Sequence, residues 1–326
     1  MKVFTRDYRI TGDYHPLWSE YFGGMKPCVL DIETTGLGSS RARVILIGLL
    51  TYTDSGVRIT QFLAENHYEE PKVLDAAMDF LERGNAGYLI TFNGQAFDVP
   101  FIRARLDATF SEKSLCLYDF DLLRFLRVST DLRSRTGSLS QKAVENYYGI
   151  LDDRGDTITG RESVIMFEEY ALTGNSTLEK VILTHNREDV LHLNRLMYLS
   201  LADIGDLHAA LAKYGFPAAG GRLSVRPKIS RDRLRITGSQ NHSAVSCAYF
   251  PDADSPVTAE FNSISSSYEI DVPLGRLDDD LFIDAKSLGF DLSDDPMCVN
   301  GWLILDSRTL NLISRLLAEK YAGLRE

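Results

Sequence analysis

The sequence predicts an α/β fold: a mixed sheet flanked by helices, followed by a smaller, mainly antiparallel β domain that ends in a helix. Three observations predict it. Residues 29–33, 44–53 and 57–63 are apolar, β-branched runs separated by the turn-like GLGSSRAR and TDSG, a pattern that reads as a three-strand meander. Helical stripes and short strand runs then alternate as far as Leu201. Beyond that point the texture changes to brief β-like runs broken by Gly, Asp and Ser.

After the meander, Pro71–Arg83 places Val73, Leu74, Ala77, Met78 and Leu81 on one stripe of a helix. Leu89–Phe92 reads as a strand ended by the turn signal Asn93-Gly94, and a helix runs from Pro100 to about Leu106. Asp98 precedes that proline in a position suited to an N-cap. A strand is expected near Leu115–Tyr118, with helices at Leu122–Arg127 and Ser138–Tyr148. Residues 152–175, rich in Gly, Asp and Thr, read as a loop with Asp152, Asp153 and Asp156 as turn residues and a short helix at Val164–Leu172. Ser176 with Glu179 forms a capping-box signature for a long helix to Leu201.

The chain of 326 residues exceeds the usual size of one hydrophobic core, so two domains are expected. GFPAAGG, residues 215–221, reads as a linker between residues 1–214 and residues 222–326. In the second part, strand runs are expected at Arg233–Ile236, Ala244–Phe250, Val257–Phe261, Ser267–Val272, Leu281–Ile283 and Trp302–Leu305, with a closing helix at Thr309–Tyr321. A hydrophobic content of 44% and a charged content of 25% are those of an ordinary globular chain. The apolar stretch Val44–Leu50 is too short to span a bilayer, and Met1–Tyr14 is too polar for a signal peptide, so no membrane association and a cytoplasmic setting are expected. Cys28, Cys116, Cys247 and Cys298 lie far apart without a C-x-x-C pair, which suggests neither a disulfide framework nor a structural zinc site.

Three segments carry chemistry. In DIETTGL, residues 31–37, Asp31 and Glu33 stand two apart on a strand and so share a face. Paired acids stay ionised together when a cation sits between them, which makes a divalent-metal site the first hypothesis, against a solvated strand end as the simpler one. LITFNGQAFDVPF, residues 89–101, supplies Asp98. THNREDVLHLNRLMYL, residues 184–199, places His185 and Asp189 on one helical face, with His192 one further turn along.

In order and type, DIETTGL, FNGQAFD and HNRED resemble the motifs of the DEDD superfamily of 3′-to-5′ exonucleases, which have a ribonuclease-H-like fold. ITFNGQAFDVPFI, SLSQKAVENYYGI and LTHNREDVLHLNRL look closest to the YprB-like group of predicted exonucleases, and the likeness covers about residues 25–203. The resemblance implies metal-dependent 3′–5′ exonuclease activity on single-stranded DNA or RNA and its 3′ ends, with nucleoside 5′-monophosphates as products. It implies two divalent cations, Mg2+ or Mn2+, with Asp31 bridging both, Glu33 and Asp189 completing the first, and Asp98 holding the second directly or through water. It gives His185 the role of general base, although its spacing of four to Asp189 differs from the five usual in the histidine subclass. Thr34, Thr35, Gly36 and Leu37 would hold the terminal nucleotide, and Asn93 is a further substrate-binding candidate. The alternatives are a catalytically inactive nucleic-acid-binding protein on the same fold, and a structure-selective endonuclease.

A net charge of −11 argues against a polyanionic substrate until its distribution is considered. From Arg222 to Arg235, six basic residues (Arg222, Arg226, Lys228, Arg231, Arg233 and Arg235) face one acid, Asp232. Arg226, Lys228 and Arg231 are therefore candidate phosphate contacts, and smaller arrays lie at Arg103 with Arg105 and at Arg124, Arg127, Arg133 and Arg135. Tyr249, Phe250 and Tyr268 either stack on bases of a guided strand or fill the core of their own domain.

Overall fold

The strand that carries the D-x-E pair lies inside a six-stranded mixed sheet in the computed structural model, which describes residues 1–9, 16–155, 158–252 and 255–324. The chain divides into two units, Met1–Pro16 with Met25–Asp203, and Leu17–Gly24 with Ile204–Glu326. Helix α1 (Trp18–Phe22) is in the second unit, although it precedes most of the first.

The sheet of the first unit has the order β1-β4-β3-β2-β5-β6, formed by β1 (Lys2–Tyr8), β2 (Lys26–Thr34), β3 (Val44–Thr53), β4 (Gly56–Leu63), β5 (Ala86–Thr91) and β6 (Tyr118–Asp121). The β2–β3–β4 meander is antiparallel, whereas β5 and β6 join β2 in parallel. β1, which pairs antiparallel with β4 from Lys2↔Leu63 to Tyr8↔Val57, was not anticipated because its side chains are mostly exposed and polar, leaving no apolar alternation to read. β6 begins at Tyr118, three residues later than the run expected from Leu115.

Helices α2 (Glu70–Arg83), α3 (Asp98–Ala108), α4 (Leu122–Ser129), α5 (Leu132–Thr136), α6 (Gln141–Tyr147), α7 (Gly160–Thr173) and α8 (Ser176–Ala202) complete the unit. The α2 stripe of Val73, Leu74, Ala77, Met78 and Leu81 is buried in one core with Leu30, Ile32 and Leu89. Each of these side chains larger than alanine contributes roughly 1.5–3 kcal/mol by leaving water. The capping signature at Ser176 is not formed as expected. Asn175 caps α8 through the Thr177 N–H, and Glu179 instead accepts from the Tyr170 hydroxyl at 2.8 Å. A capping box does form one helix earlier, where Thr159 and Glu162 satisfy each other at the start of α7.

In the second unit, β7 (Phe216–Ala218), β8 (Leu223–Ser230), β9 (Arg233–Ser239), β10 (Cys247–Tyr249), β11 (Thr258–Asn262) and β12 (Ser267–Pro273) form an antiparallel sheet of order β10-β11-β12-β9-β8-β7. β13 (Gly275–Leu277), β14 (Asp280–Asp284), β15 (Cys298–Val299) and β16 (Trp302–Ile304) make a second, four-stranded sheet, and helices α9 (Leu207–Tyr214) and α10 (Ser307–Tyr321) belong to the same unit. The expected linker at 215–221 is structured: Phe216–Ala218 pairs with β8 and Ala219–Gly221 forms a 3-10 turn. Its Gly and Ala residues serve tight backbone geometry, with positive φ at Gly215, Gly220 and Gly221, rather than chain freedom. The longer segment of the second unit thus runs from Ile204, before α9, where residue 222 was expected.

The four cysteines are free thiols. Among the described residues no helix is long and apolar enough to cross a membrane.

Candidate active site

Strand β2 and helix α8 build the site together. Asp31 and Glu33 alternate with the buried Ile32, as pleating requires, and point toward α8. Asn186 Nδ2 donates to Asp31 Oδ2 at 2.8 Å and to the Asp31 carbonyl at 3.2 Å. Gln61 Nε2 in turn donates to Asn186 Oδ1 at 2.8 Å and to the Leu183 carbonyl at 2.9 Å, which fixes the orientation of the Asn186 amide. Gly48, opposite Asp31 on β3, leaves room for that amide, since a Cβ there would overlap it.

His185 lies between two acids. Its Nε2 is 3.6 Å from Glu33 Oε1 and 3.6 Å from Asp189 Oδ2, and the ring is buried. Glu33, His185 and Asp189 each offer a ligand atom within 4.8 Å of the others, a spacing that could hold a metal ion. Asp98 approaches from α3, where the Ile32 N–H donates to its Oδ1 at 3.3 Å. It is the first residue of the helix rather than its N-cap, a position held by Phe97, so the capping alternative for Asp98 is not what the fold uses.

Burial in this cluster raises the carboxyl pKa values. Asp31 is held well above the ordinary carboxylate range by burial and by the negative charges of Asp189, Asp98 and Glu33, with the Asn186 hydrogen bond opposing. Glu33 is pushed up to about 7 by burial, with His185 opposing and Asp189 adding to the rise. Asp98 is also pushed up to about 7 by burial, against the backbone N–H groups of Asp98 and Ile32 and reinforced by Asp121 and Asp189. The Asp189 charge raises Asp31, Glu33 and Asp98 alike, the electrostatic signature of acids gathered in one place. At separations of ~4 Å and an effective dielectric near 20, each like-charged pair costs about 4 kcal/mol, a penalty that a bound cation reverses in sign.

A pH dependence follows. The folded pKa values of Glu33 and Asp98 lie above their ordinary values of 4.5 and 3.8, so their contribution to stability is complete below pH ~4 and is lost as pH rises through about 7. In EDTA, the melting temperature should fall between about pH 5 and pH 8, and Glu33→Gln should flatten that fall. A melting temperature in EDTA that rises over the same interval would contradict the burial of these acids.

The turn after β2 is tightly organised. Thr34 Oγ1 donates to the Gly36 carbonyl at 2.8 Å, Thr35 Oγ1 accepts from the Arg43 N–H at 2.9 Å, and Leu37 stands almost fully in solvent at 88% exposure. Asn93, exposed and with φ of 70°, occupies the left-handed turn before α3, and its N–H donates to Asp121 Oδ1 at 2.9 Å. Gly94 is needed beside it because a Cβ would strike the Thr91 side chain. Asp121 also caps α4 through the Arg124 N–H and receives the Gln95 N–H, while Asp119 Oδ1 accepts from the Thr91 hydroxyl at 2.8 Å. Sequence reasoning missed both acids, although Asp119-Phe120-Asp121 repeats the two-residue acid spacing of the first motif.

The remaining candidates are placed as follows. His192, buried, lies 3.7 Å from Glu145 Oε2 and 3.7 Å from Glu188 Oε2, and burial lowers its pKa. Asp153 pairs with Arg195 at 2.8 Å, and Asp156 lies outside the described residues. Arg105 is committed to the buried Glu70, and Arg103 Nε to the Leu115 carbonyl, so that pair serves the fold. In the second unit, Arg226 and Lys228 sit on β8 and Arg231 in the following turn. Arg226 Nε donates to the Tyr214 carbonyl at 3.0 Å. Arg233 and Arg235 are paired across strands with Asp271, and Arg235 also with Glu269, so the basic strip is partly neutralised. Tyr268 is buried, stacked on Phe261, and donates to the Ser224 carbonyl at 2.7 Å; it fills its own core and is not a free stacking surface. Phe250, by contrast, is 76% exposed.

A mixed sheet flanked by helices, with acids gathered where β2, α3 and α8 meet, defines a ribonuclease-H-like protein. The profile of the RNase H superfamily matches residues 28–200, more than half of the chain, and the chain belongs to that superfamily. Its fold suggests nuclease activity, and its acidic cluster could hold a metal. Among solved structures, the family B DNA polymerase from the hyperthermophilic archaeon Pyrobaculum calidifontis is similar at 16% identity with a TM-score of 0.42. The match covers 58% of this chain and 26% of the polymerase, so the chain spans about a quarter of that protein's length. A comparison with curated proteins finds no match.

Proposed function

We propose that the protein is a metal-dependent 3′–5′ exonuclease of the DEDD type, close to the YprB-like group, acting on single-stranded DNA or RNA. The observation that carries this reading is the cluster of Glu33, His185 and Asp189, with Asp31 and Asp98 near enough to feel the Asp189 charge, which supports a site for hard cations made of oxygen donors. Those four acids would hold two divalent cations, Mg2+ or Mn2+. Bound there, the cations supply Lewis-acid stabilisation of the attacking and leaving oxygens of an in-line displacement.

The protein's own groups account for the rest. Asn186 orients Asp31, and Asp31 and Glu33 keep their spacing through antiparallel pairing with Gly48 and Leu46 of β3. His185 Nε2, between Glu33 and Asp189, is the group to take the proton from the attacking water, since a neutral imidazole there is an acceptor. Leu37, an exposed leucine on an ordered turn beside the acids, suits packing against the terminal base, and Thr34 to Gly36 present backbone groups to its sugar. Asn93 stands exposed at the neighbouring turn as a further contact. Arg226, Lys228, Arg231 and the exposed Phe250 are proposed to guide the strand.

The test uses 5′-labelled single-stranded DNA and RNA with Mg2+, Mn2+ or EDTA. A ladder shortening from the 3′ end, dependent on metal and abolished by EDTA, is expected. Internal cuts would assign an endonuclease instead, and binding without cleavage would assign a nucleic-acid-binding protein.

A further inference from the structure

Arg154 follows the 3-10 turn Leu151–Asp153, in a segment without helical or strand periodicity, yet its side chain is only 3% exposed. Its guanidinium bridges two carboxylates. Nη1 donates to Glu145 Oε1 at 2.8 Å, and Nη2 donates to Asp189 Oδ1. Glu145, on α6, is fully buried and is held in turn by Gln141 Nε2, which donates to Glu145 Oε1 at 3.0 Å and to the Asp189 carbonyl at 3.1 Å. The two oxygens of Asp189 are thereby divided: Oδ1 faces Arg154, while Oδ2 faces His185 and belongs to the group that includes Glu33.

We propose that Arg154 is a positioning residue that fixes the Asp189 carboxylate so that Oδ2 alone is offered to a divalent cation, with Glu145 holding Arg154 in place. The inference rests on the nuclease reading and deepens it. A guanidinium suits this task because its planar fork meets two carboxylates with little further loss of side-chain freedom, and partners behind a metal ligand commonly set its orientation. Simple electrostatics predicts the opposite sign, since a cation next to a ligand repels a metal. The direction of the effect therefore decides between positioning and mere charge balance.

The experiment measures Mn2+ affinity of the substrate-free protein by titration calorimetry and by the electron paramagnetic resonance signal of free Mn2+. Removing Arg154 alone would strand the buried Glu145 charge, so the informative variant is the double change Glu145→Gln with Arg154→Met, which preserves net charge. Its Mn2+ affinity is expected to weaken about 10–100-fold, while melting in EDTA reports separately on folding. Arg154→Lys, which keeps the charge but not the fork, should recover only part of that loss and decides the matter if the double variant does not fold. Unchanged or tighter Mn2+ binding in the folded double variant, or a fully wild-type affinity in Arg154→Lys, overturns the positioning role and leaves the nuclease reading standing. A wild-type protein that binds no Mn2+ overturns both.

Discussion

Asp31→Asn is expected to bring hydrolysis of a labelled oligonucleotide below detection while raising the melting temperature in EDTA. The two effects have one origin. Asp31 is pushed well above its ordinary pKa by burial and by Asp189, Asp98 and Glu33, so the free protein carries a repulsion that a neutral amide removes. The hydrogen bond from Asn186 Nδ2 can be kept, because an asparagine side chain retains an acceptor oxygen. The gain in stability should be on the order of 1–2 kcal/mol, the size commonly seen when a strained functional group is relieved. The same change takes away the carboxylate assigned to both cations, so rate and Mn2+-induced stabilisation should vanish together. Hydrolysis at the normal rate in Asp31→Asn would remove the metal site from the mechanism.

His185→Ala should behave differently. Glu33, Asp98, Asp189 and Asp31 remain, so Mn2+ should still raise the melting temperature, whereas the rate should drop about 10²–10⁴-fold through loss of the proton acceptor. If Mn2+ binding is lost along with activity, His185 is a ligand with Glu33 and Asp189, as their common 4.8 Å spacing would also allow. An unimpaired rate would dismiss the histidine altogether.

Much of the first unit was legible because its signals are local. Strand β3, expected at 44–53, forms at Val44–Thr53, and the stripe of α2 is buried as its spacing required. The long helix ends within a residue of where its apolar pattern does. The failures also have local causes. β1 is an edge strand whose residues are mostly polar and exposed, so its existence depends on backbone pairing with β4 rather than on side chains. GFPAAGG has the composition of a linker, but pairing with β8 makes it a strand and a turn. Tyr268 and Phe250 could not be told apart by type, because only the stacking of Tyr268 on Phe261 and its bond to Ser224 bury it.

By itself the sequence determined the acids that face one another along a single element: Asp31 with Glu33 on a strand, and His185 with Asp189 on a helix. Those pairs follow from periods of 2 and 3.6, which any strand or helix must obey. Only the tertiary structure decided that Asp98 would meet Ile32, that Gly48 would admit Asn186 beside Asp31, and that Arg154 would join Glu145 to Asp189. These partners are separated along the chain by loops and by whole strands and helices. No repeating backbone geometry links their positions, so nothing short of the packed fold could bring them into register.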